Sequence, residues 1–412
     1  MNKKLIILLF LGFLFRLFLA SLTYDGLTYD VGYYVILAKR ILAGELVADC
    51  CGKNAGYPFF LAIVGFIFGI DNLWALRIIQ IITDLITAII IFILARRIFE
   101  NQKAAFISFI LYLFNPFTSA YTGLRLPETV SIFLVTLTLV IITAKSSTKN
   151  FFLWFALGAI LGVTLFIRLQ FYYFVFIMIF MLSFLYFRRG KRIYFIFFTL
   201  LSFFIFSLYS IPANYFTYQK IRLTPPYNRA WSLLYMNFYD YEYPELFIEE
   251  KNIHPELKKI MQEYFSASLT RNEREVEELN DKYRMLFWKK LKTTSVNFLI
   301  NYNKNILRIW DKTHMAAYID PYYPADKWIL RAVNVTSLLL FLTGIYGYIR
   351  KQKGKIINSP LIMYTLLFFL YITFLFPLLT NESRHSLIYY SLIYFWAGYG
   401  FLLIYNYVFK KR

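Results

Sequence analysis

Charge is scarce in this chain of 412 residues: 17% are Asp, Glu, Lys or Arg, where ordinary soluble domains carry about a quarter. Acid is scarcer still, 24 residues against 44 basic ones. The two cysteines, Cys50 and Cys51, are adjacent and cannot easily meet disulfide geometry, and with three histidines no His/Cys cluster has zinc spacing. The cysteines thus say little about redox compartment or metal. Low-complexity segments and internal repeats are also missing. What is abundant is apolar: 59% of residues are hydrophobic and 21% aromatic, with a mean hydropathy of +0.52. The net charge of +20 taken alone suggests nucleic acid or an anionic surface. Apolar runs near 20 residues recur, however, and a soluble nucleic-acid binder has no use for them. The composition identifies a polytopic membrane protein and excludes a single soluble core.

Apolar segments lie at about 5–22, 57–70, 73–95, 104–122, 127–144, 151–167, 170–187, 193–213, 328–349, 359–379 and 386–409. Ten are long enough to cross ~30 Å of hydrocarbon as tilted helix at ~1.5 Å per residue. Residues 57–70, introduced by Gly56-Tyr57-Pro58, suit a re-entrant or interfacial helix better. The first run has the charged head of a signal peptide but is long, contains Arg16 and lacks a small-x-small cleavage site, so it reads as an uncleaved span.

Orientation follows from the lysines and arginines. If residues 57–70 do not cross, one side of the membrane receives eighteen basic residues, in clusters at 3–4, 96–103, 145–149, 188–192, 350–355 and 410–412, with Glu100 as the only acid. If they cross, every cluster after the first moves to the other side. The expected architecture is therefore an all-α polytopic bundle of about ten transmembrane helices, both termini cytoplasmic, in the plasma membrane. It has interfacial helices in a first external loop (23–72) and one larger external region. The expected division is 1–213, an N-terminal membrane module with a catalytic first loop; 214–326, an external acceptor-side region; and 327–412, the C-terminal membrane helices. The charge of +20 is largely an orientation signal, because 214–326 is nearly neutral.

Charge near membrane depth is expensive, so its position is informative. Asp25 and Asp30 follow the first span, Arg125 and Glu128 lie in the turn 123–128, Arg168 separates two spans, and Glu382, Arg384 and His385 precede the last. All fall on the external face. Each also has a plain reading: a solvated loop acid for Asp25, snorkelling for Arg168, a local i,i+3 pair for Arg125 and Glu128, interfacial anchoring for Arg384 and His385. The 45 Phe and 35 Tyr are mostly lipid-facing packing and interfacial belt. Trp231, Tyr235, Tyr239 and Tyr241 could stack on sugar or pack the external region on the interface.

Several local patterns carry a family likeness. Asp30 is followed by Tyr34 four residues on, Ala38 four further, then Lys39. Gly56-Tyr57-Pro58 opens the short helix, and Ala75-Leu76-Arg77, Asn115-Pro116 and Leu126-Pro127-Glu128-Thr129 follow in order. Gly158 and Gly162 precede Arg168, residues 297–310 are amphipathic, and Arg384-His385 stands where an Arg-Tyr pair is usual. In these features the chain resembles the GT-C superfamily of polytopic glycosyltransferases. Within it the likeness is to the family 39-like group that includes protein O-mannosyltransferases and lipid A aminoarabinose transferases. Leu169 replaces that group's usual proline.

The resemblance implies a glycosyltransferase that moves a sugar from a polyprenyl-phosphate-linked donor to an acceptor at the outer face, with inversion. Asp30 would be the general base. Arg168, Arg384, Arg125 and His385 would stabilise the phosphate, Glu128 would bind sugar or acceptor or orient an arginine, and Asp25, Tyr34 and Tyr57 would complete the substrate site. No cofactor is required by these residues; a divalent cation stays open. The partners implied are the donor, a glycan, lipid or protein acceptor, and membrane lipids, with no nucleic acid. Two other classes fit the span count: a transporter or flippase of lipid-linked sugars, which should carry mid-membrane charges and inverted repeats, and a non-catalytic subunit of a glycan-assembly complex.

Overall fold

Apolar solvent cannot satisfy backbone N–H and C=O groups, so an apolar segment in a bilayer must be helical. The computed structural model of the chain is helical wherever its described residues have regular structure. It describes residues 3–23, 29–48, 55–144, 151–187, 197, 199–201, 203–204, 208–221, 230–241, 253–270, 273–316, 324–352 and 359–409. The first half contains α1 (Lys3–Leu22), α2 (Tyr29–Leu42), α3 (Gly56–Phe68), α4 (Leu73–Phe99), α5 (Gln102–Leu113), α6 (Pro116–Tyr121), α7 (Glu128–Ile142), α8 (Phe151–Ile167) and α9 (Tyr172–Phe187). There follow α10 (Ser210–Tyr218), α11 (Ala230–Met236), α12 (Pro255–Thr270), α13 (Glu273–Trp310), α14 (Pro324–Lys351), α15 (Pro360–Phe374), α16 (Phe376–Leu379) and α17 (Tyr390–Phe409). Leu169–Phe171 and Ser383–Tyr389 are 3-10 segments.

The expected count of about ten full-length spans is corrected. Among the described residues five helices are long and apolar enough to cross a membrane: Lys3–Leu22, Leu73–Phe99, Lys327–Lys351, Pro360–Leu379 and Ser383–Phe409. Five further apolar helices are shorter, at 10–17 residues. The cause is local. Pro116 cannot continue α5, and Asn115 ends it by accepting a hydrogen bond from Phe117 N at 2.8 Å, restarting the chain as α6. Arg168 is extended at φ −144° and separates α8 from the following 3-10 turn. Helix α7 has 15 residues and begins only at Glu128, so it spans about 22 Å at 1.5 Å per residue. Nine residues of the expected span at 193–213 lie outside the described residues. The short helix expected at 57–70 is α3, of 13 residues.

Two hydrophobic cores form. The larger joins residues from Leu19 to Leu402, with α17 enclosed at its centre. Glycines set the closest approaches to α17: a Cβ on Gly400 would lie 2.0 Å from the Leu340 carbonyl oxygen of α14, and one on Gly398 2.1 Å from Ser108 Oγ of α5. The smaller core, with Tyr235, Phe238, Leu257, Ile260, Val276 and Phe287, lies among α11, α12 and α13. Exposed apolar residues follow helical spacing on outward faces, as in Ile6, Phe10, Leu14 and Phe18 of α1 and Ile78, Ile82 and Ile86 of α4. That pattern suits contact with lipid.

Two charges inside the apolar helices meet each other. Arg16 of α1 donates to Asp84 Oδ2 of α4 through Nε at 2.8 Å and Nη2 at 2.6 Å, and through Nη1 to the carbonyls of Gly12 at 3.1 Å and Leu113 at 2.8 Å. Tyr112 of α5 donates its hydroxyl to Asp84 Oδ1. Both side chains of the ion pair are fully buried. Removing one partner leaves an uncompensated charge in low dielectric, which costs about 3–5 kcal/mol. Asp84→Leu should accordingly lower the melting temperature in detergent sharply, and Arg16→Leu in the same chain should recover most of the loss. Additive damage in the double variant would refute the pairing.

Candidate functional site

Five connections converge at one end of the bundle: the start of α2, the start of α7, the break after α8, the end of α13 and the segment before α17. The opposite end has its own link, from Arg97 to the Thr143 carbonyl, between two connections expected on the cytoplasmic side. The loops assigned to one face from charge alone are thus the ones that meet.

Their ionisable groups form a chain of alternating sign. Arg384 pairs with Asp30 Oδ2 through Nη2 at 2.6 Å and with Glu382 Oε1 through Nε at 2.7 Å. Glu382 Oε2 lies 3.5 Å from His385 Nε2. His385 Nδ1 lies 3.0 Å from Arg168 Nη2, which is also 3.2 Å from Glu128 Oε1. A guanidinium only donates, so Nδ1 of His385 accepts, and the neutral ring carries its proton on Nε2 facing Glu382. Arg168 is aimed by its own backbone break and by Nε donating to Gln170 Oε1 at 2.9 Å. Helix α15 fixes that break in turn, since Tyr371 donates its hydroxyl to the Gln170 carbonyl at 2.5 Å.

The cluster is buried yet not saturated. Glu128 is 0% exposed, and among the described residues neither of its carboxylate oxygens has a hydrogen-bond partner; nor does Nη1 of Arg168. Buried polar atoms in folded proteins are nearly always bonded, so these three stand out as unused hydrogen-bonding groups of the cluster. Burial would raise the Glu382 carboxyl, but Arg384 and His385 hold it below the usual carboxylate range. Tyr34, one turn after Asp30 on α2, has its phenol pushed up by burial and by Asp30 and Glu128, against the opposing pull of Arg168 and Arg384.

Of the residues singled out from sequence, Asp30, Tyr34, Glu128, Arg168, Arg384 and His385 come together. Tyr57 is fully buried beneath them: its ring packs edge-on to Tyr34 at 5.3 Å and its hydroxyl donates to Gln80 Oε1 at 3.1 Å. Gln80 in turn donates to the carbonyls of Thr122 at 3.1 Å and Leu124 at 2.7 Å, which ties α3 and α4 to the turn ahead of Glu128. Arg77 extends that tie, donating to the carbonyls of Gly123 at 3.0 Å and Thr23 at 2.7 Å. Arg125 borders a crevice between α2, α3 and α4 lined by Val35, Leu61, Val64, Ile70 and Leu76. Asp25 lies outside the described residues. Among the described residues no three His, Cys, Asp or Glu side chains are grouped so as to hold a metal ion. The nearest acids, Asp30, Glu128 and Glu382, are each paired with a guanidinium.

Lys312 went unrecognised in the sequence. It follows α13, is buried, and donates from Nζ to the Ser383 carbonyl and to Ser386 Oγ at 2.8 Å, pinning the segment that carries Arg384 and His385. The one sequence signal is Asp311-Lys312, a charged pair where the external region returns to the membrane.

A family model described as dolichyl-phosphate-mannose-protein mannosyltransferase matches residues 54–211, less than half of the chain. Among curated proteins none matches the chain by sequence. Solved structures do. The archaeal oligosaccharyltransferase AglB from Archaeoglobus fulgidus, in complex with an inhibitory peptide and a dolichol-phosphate, is 13% identical with a TM-score of 0.53, covering 100% of this chain and 51% of that one. The apo form of the Archaeoglobus fulgidus oligosaccharyltransferase gives 13% and 0.54, covering 100% and 52%. The chain shares the fold of these oligosaccharyltransferase structures. The chain spans about half the length of these structures.

Burial pushes the Lys312 ammonium down to about 7 from 10.5, against the pull of Glu382, Asp311 and Glu128. Between those two values the unfolded chain binds more protons at this site than the folded one, so stability rises with pH across the window. Chemical unfolding from pH 7 to 10 should show this slope in the wild type and a flatter one in Lys312→Met. Equal slopes would contradict the burial of a titrating lysine.

Proposed function

We propose that the chain is a membrane glycosyltransferase of the family 39-like kind, transferring a sugar from a polyprenyl-phosphate-linked donor to an acceptor with inversion. The observation that carries this reading is the unsaturated buried cluster on a GT-C fold. Arg168 Nη1 is a donor suited to a phosphate oxygen, and the Glu128 oxygens are acceptors suited to sugar hydroxyls. An oligosaccharyltransferase of the same fold has been solved with a dolichol-phosphate. A long isoprenoid needs a lipid-exposed path while its phosphate and sugar need a polar pocket at the membrane surface. Short helices ending in charged residues supply such an edge.

In the proposed reaction Asp30 removes the proton from an acceptor hydroxyl, and the oxygen attacks the anomeric carbon opposite the phosphate. The bond from that carbon to the phosphate oxygen breaks, and polyprenyl phosphate leaves with the electron pair. Arg168 and Arg384 stabilise its growing charge. From the basic clusters we take the site to face outward, with both termini cytoplasmic and residues 214–326 on the acceptor side. Asp30 stands 2.6 Å from the Arg384 guanidinium, which links the base to the phosphate-binding side of the cluster. Transport of lipid-linked sugars is less favoured, because the intramembrane charges Arg16 and Asp84 are fully buried and bonded to each other.

Asp30→Asn should reduce glycosyl transfer in membranes by about 100-fold or more at matched expression. Near-normal turnover would refute the base assignment and admit a non-catalytic subunit. Arg168→Glu should impair use of the donor more than use of the acceptor; equal effects would argue against phosphate binding by Arg168.

A further inference from the structure

Arg384 is the one guanidinium of the cluster that pairs with two carboxylates, Asp30 on α2 and Glu382 two residues away. A single positive charge is thereby shared between two negative ones, and a phosphate approaching it meets both. The two acids are held differently. Glu382 is 4% exposed and shares a short turn with Arg384, fixed by Lys312. Asp30 belongs to a separate helix and is 19% exposed.

Resting on the proposed transferase reading, we propose that the donor phosphate takes the place of Asp30 on Arg384, so that Asp30 is released to act as base only when a donor is bound. Glu382 is then a positioning residue: it stays paired with Arg384 and sets how strongly an anion is drawn to it. The arrangement couples donor occupancy to acceptor activation through one side chain.

The test is binding of decaprenyl monophosphate and, in parallel, the uncharged alcohol decaprenol to the full chain in phosphatidylcholine nanodiscs. Glu382→Gln and Asp30→Asn each remove a carboxylate that competes for Arg384, so each should bind the monophosphate about tenfold more tightly than wild type. Decaprenol affinity should not change, which separates loss of charge from structural damage. In transfer assays Glu382→Gln should lower both KM for the donor and kcat, a split that simple destabilisation does not produce. Asp30→Asn makes the same binding prediction from the other side of Arg384, so a poorly folded Glu382→Gln leaves the proposal testable. Unchanged or weaker monophosphate binding in Asp30→Asn, with decaprenol binding intact, overturns competition at Arg384 while leaving the transferase reading in place. A wild type that binds monophosphate no better than decaprenol overturns both.

Discussion

An ion in a low-dielectric interior must be neutralised by partners within a few ångströms, and this constraint organises both halves of the membrane bundle. Arg16 and Asp84 satisfy it completely. Two guanidinium bonds to one carboxylate oxygen, a tyrosine hydroxyl on the other and two main-chain carbonyls, of Gly12 and Leu113, leave the pair closed, so it joins α1, α4 and α5. The cluster around Arg168 and Arg384 satisfies the same constraint by charge alternation while leaving hydrogen-bonding capacity at Glu128 and Arg168 unused. One arrangement is closed and the other keeps hydrogen-bonding groups open, though both are built from the same residue types.

Two of the helix breaks serve the second arrangement. Pro127, ahead of Glu128, and Arg168 interrupt what would otherwise be longer apolar helices at the end of the bundle where the ionisable groups gather, whereas the Asn115-Pro116 break leaves the Leu113 carbonyl to the buried Arg16. Ending a helix early leaves a charged residue below the height of its neighbours, where others can surround it. Tyr57, Gln80 and Arg77 then fix the turn ahead of Glu128 from beneath. Precision at the cluster therefore depends on residues that never reach it.

Much of this was legible from residue types. Apolar runs marked nearly every helix, and basic clusters sorted the connections into two faces before any contact was known. Of the acids and arginines left on the basic-poor face, Asp30, Glu128, Arg168, Glu382 and Arg384 come together in the structure. Helix length was less legible, since a run such as 104–122 is uniformly apolar across its Asn-Pro break and hydropathy does not register where backbone hydrogen bonding stops. Glu382 was noticed only as a neighbour of Arg384, because nothing in a linear pattern distinguishes a carboxylate facing solvent from one facing two cations. Lys312 was indistinguishable from the other lysines of 214–326 for the same reason.

By itself, then, the sequence determined membrane residence, helical class and which connections share a face, because these follow from the transfer cost of each residue taken singly or in a run. Only the tertiary structure decided that Asp30 shares Arg384 with Glu382, that His385 links Glu382 to Arg168, that Arg16 and Asp84 cancel, and that Lys312 holds the turn. Pairing energies depend on distances between residues up to 354 positions apart, and sequence spacing carries no information about those distances.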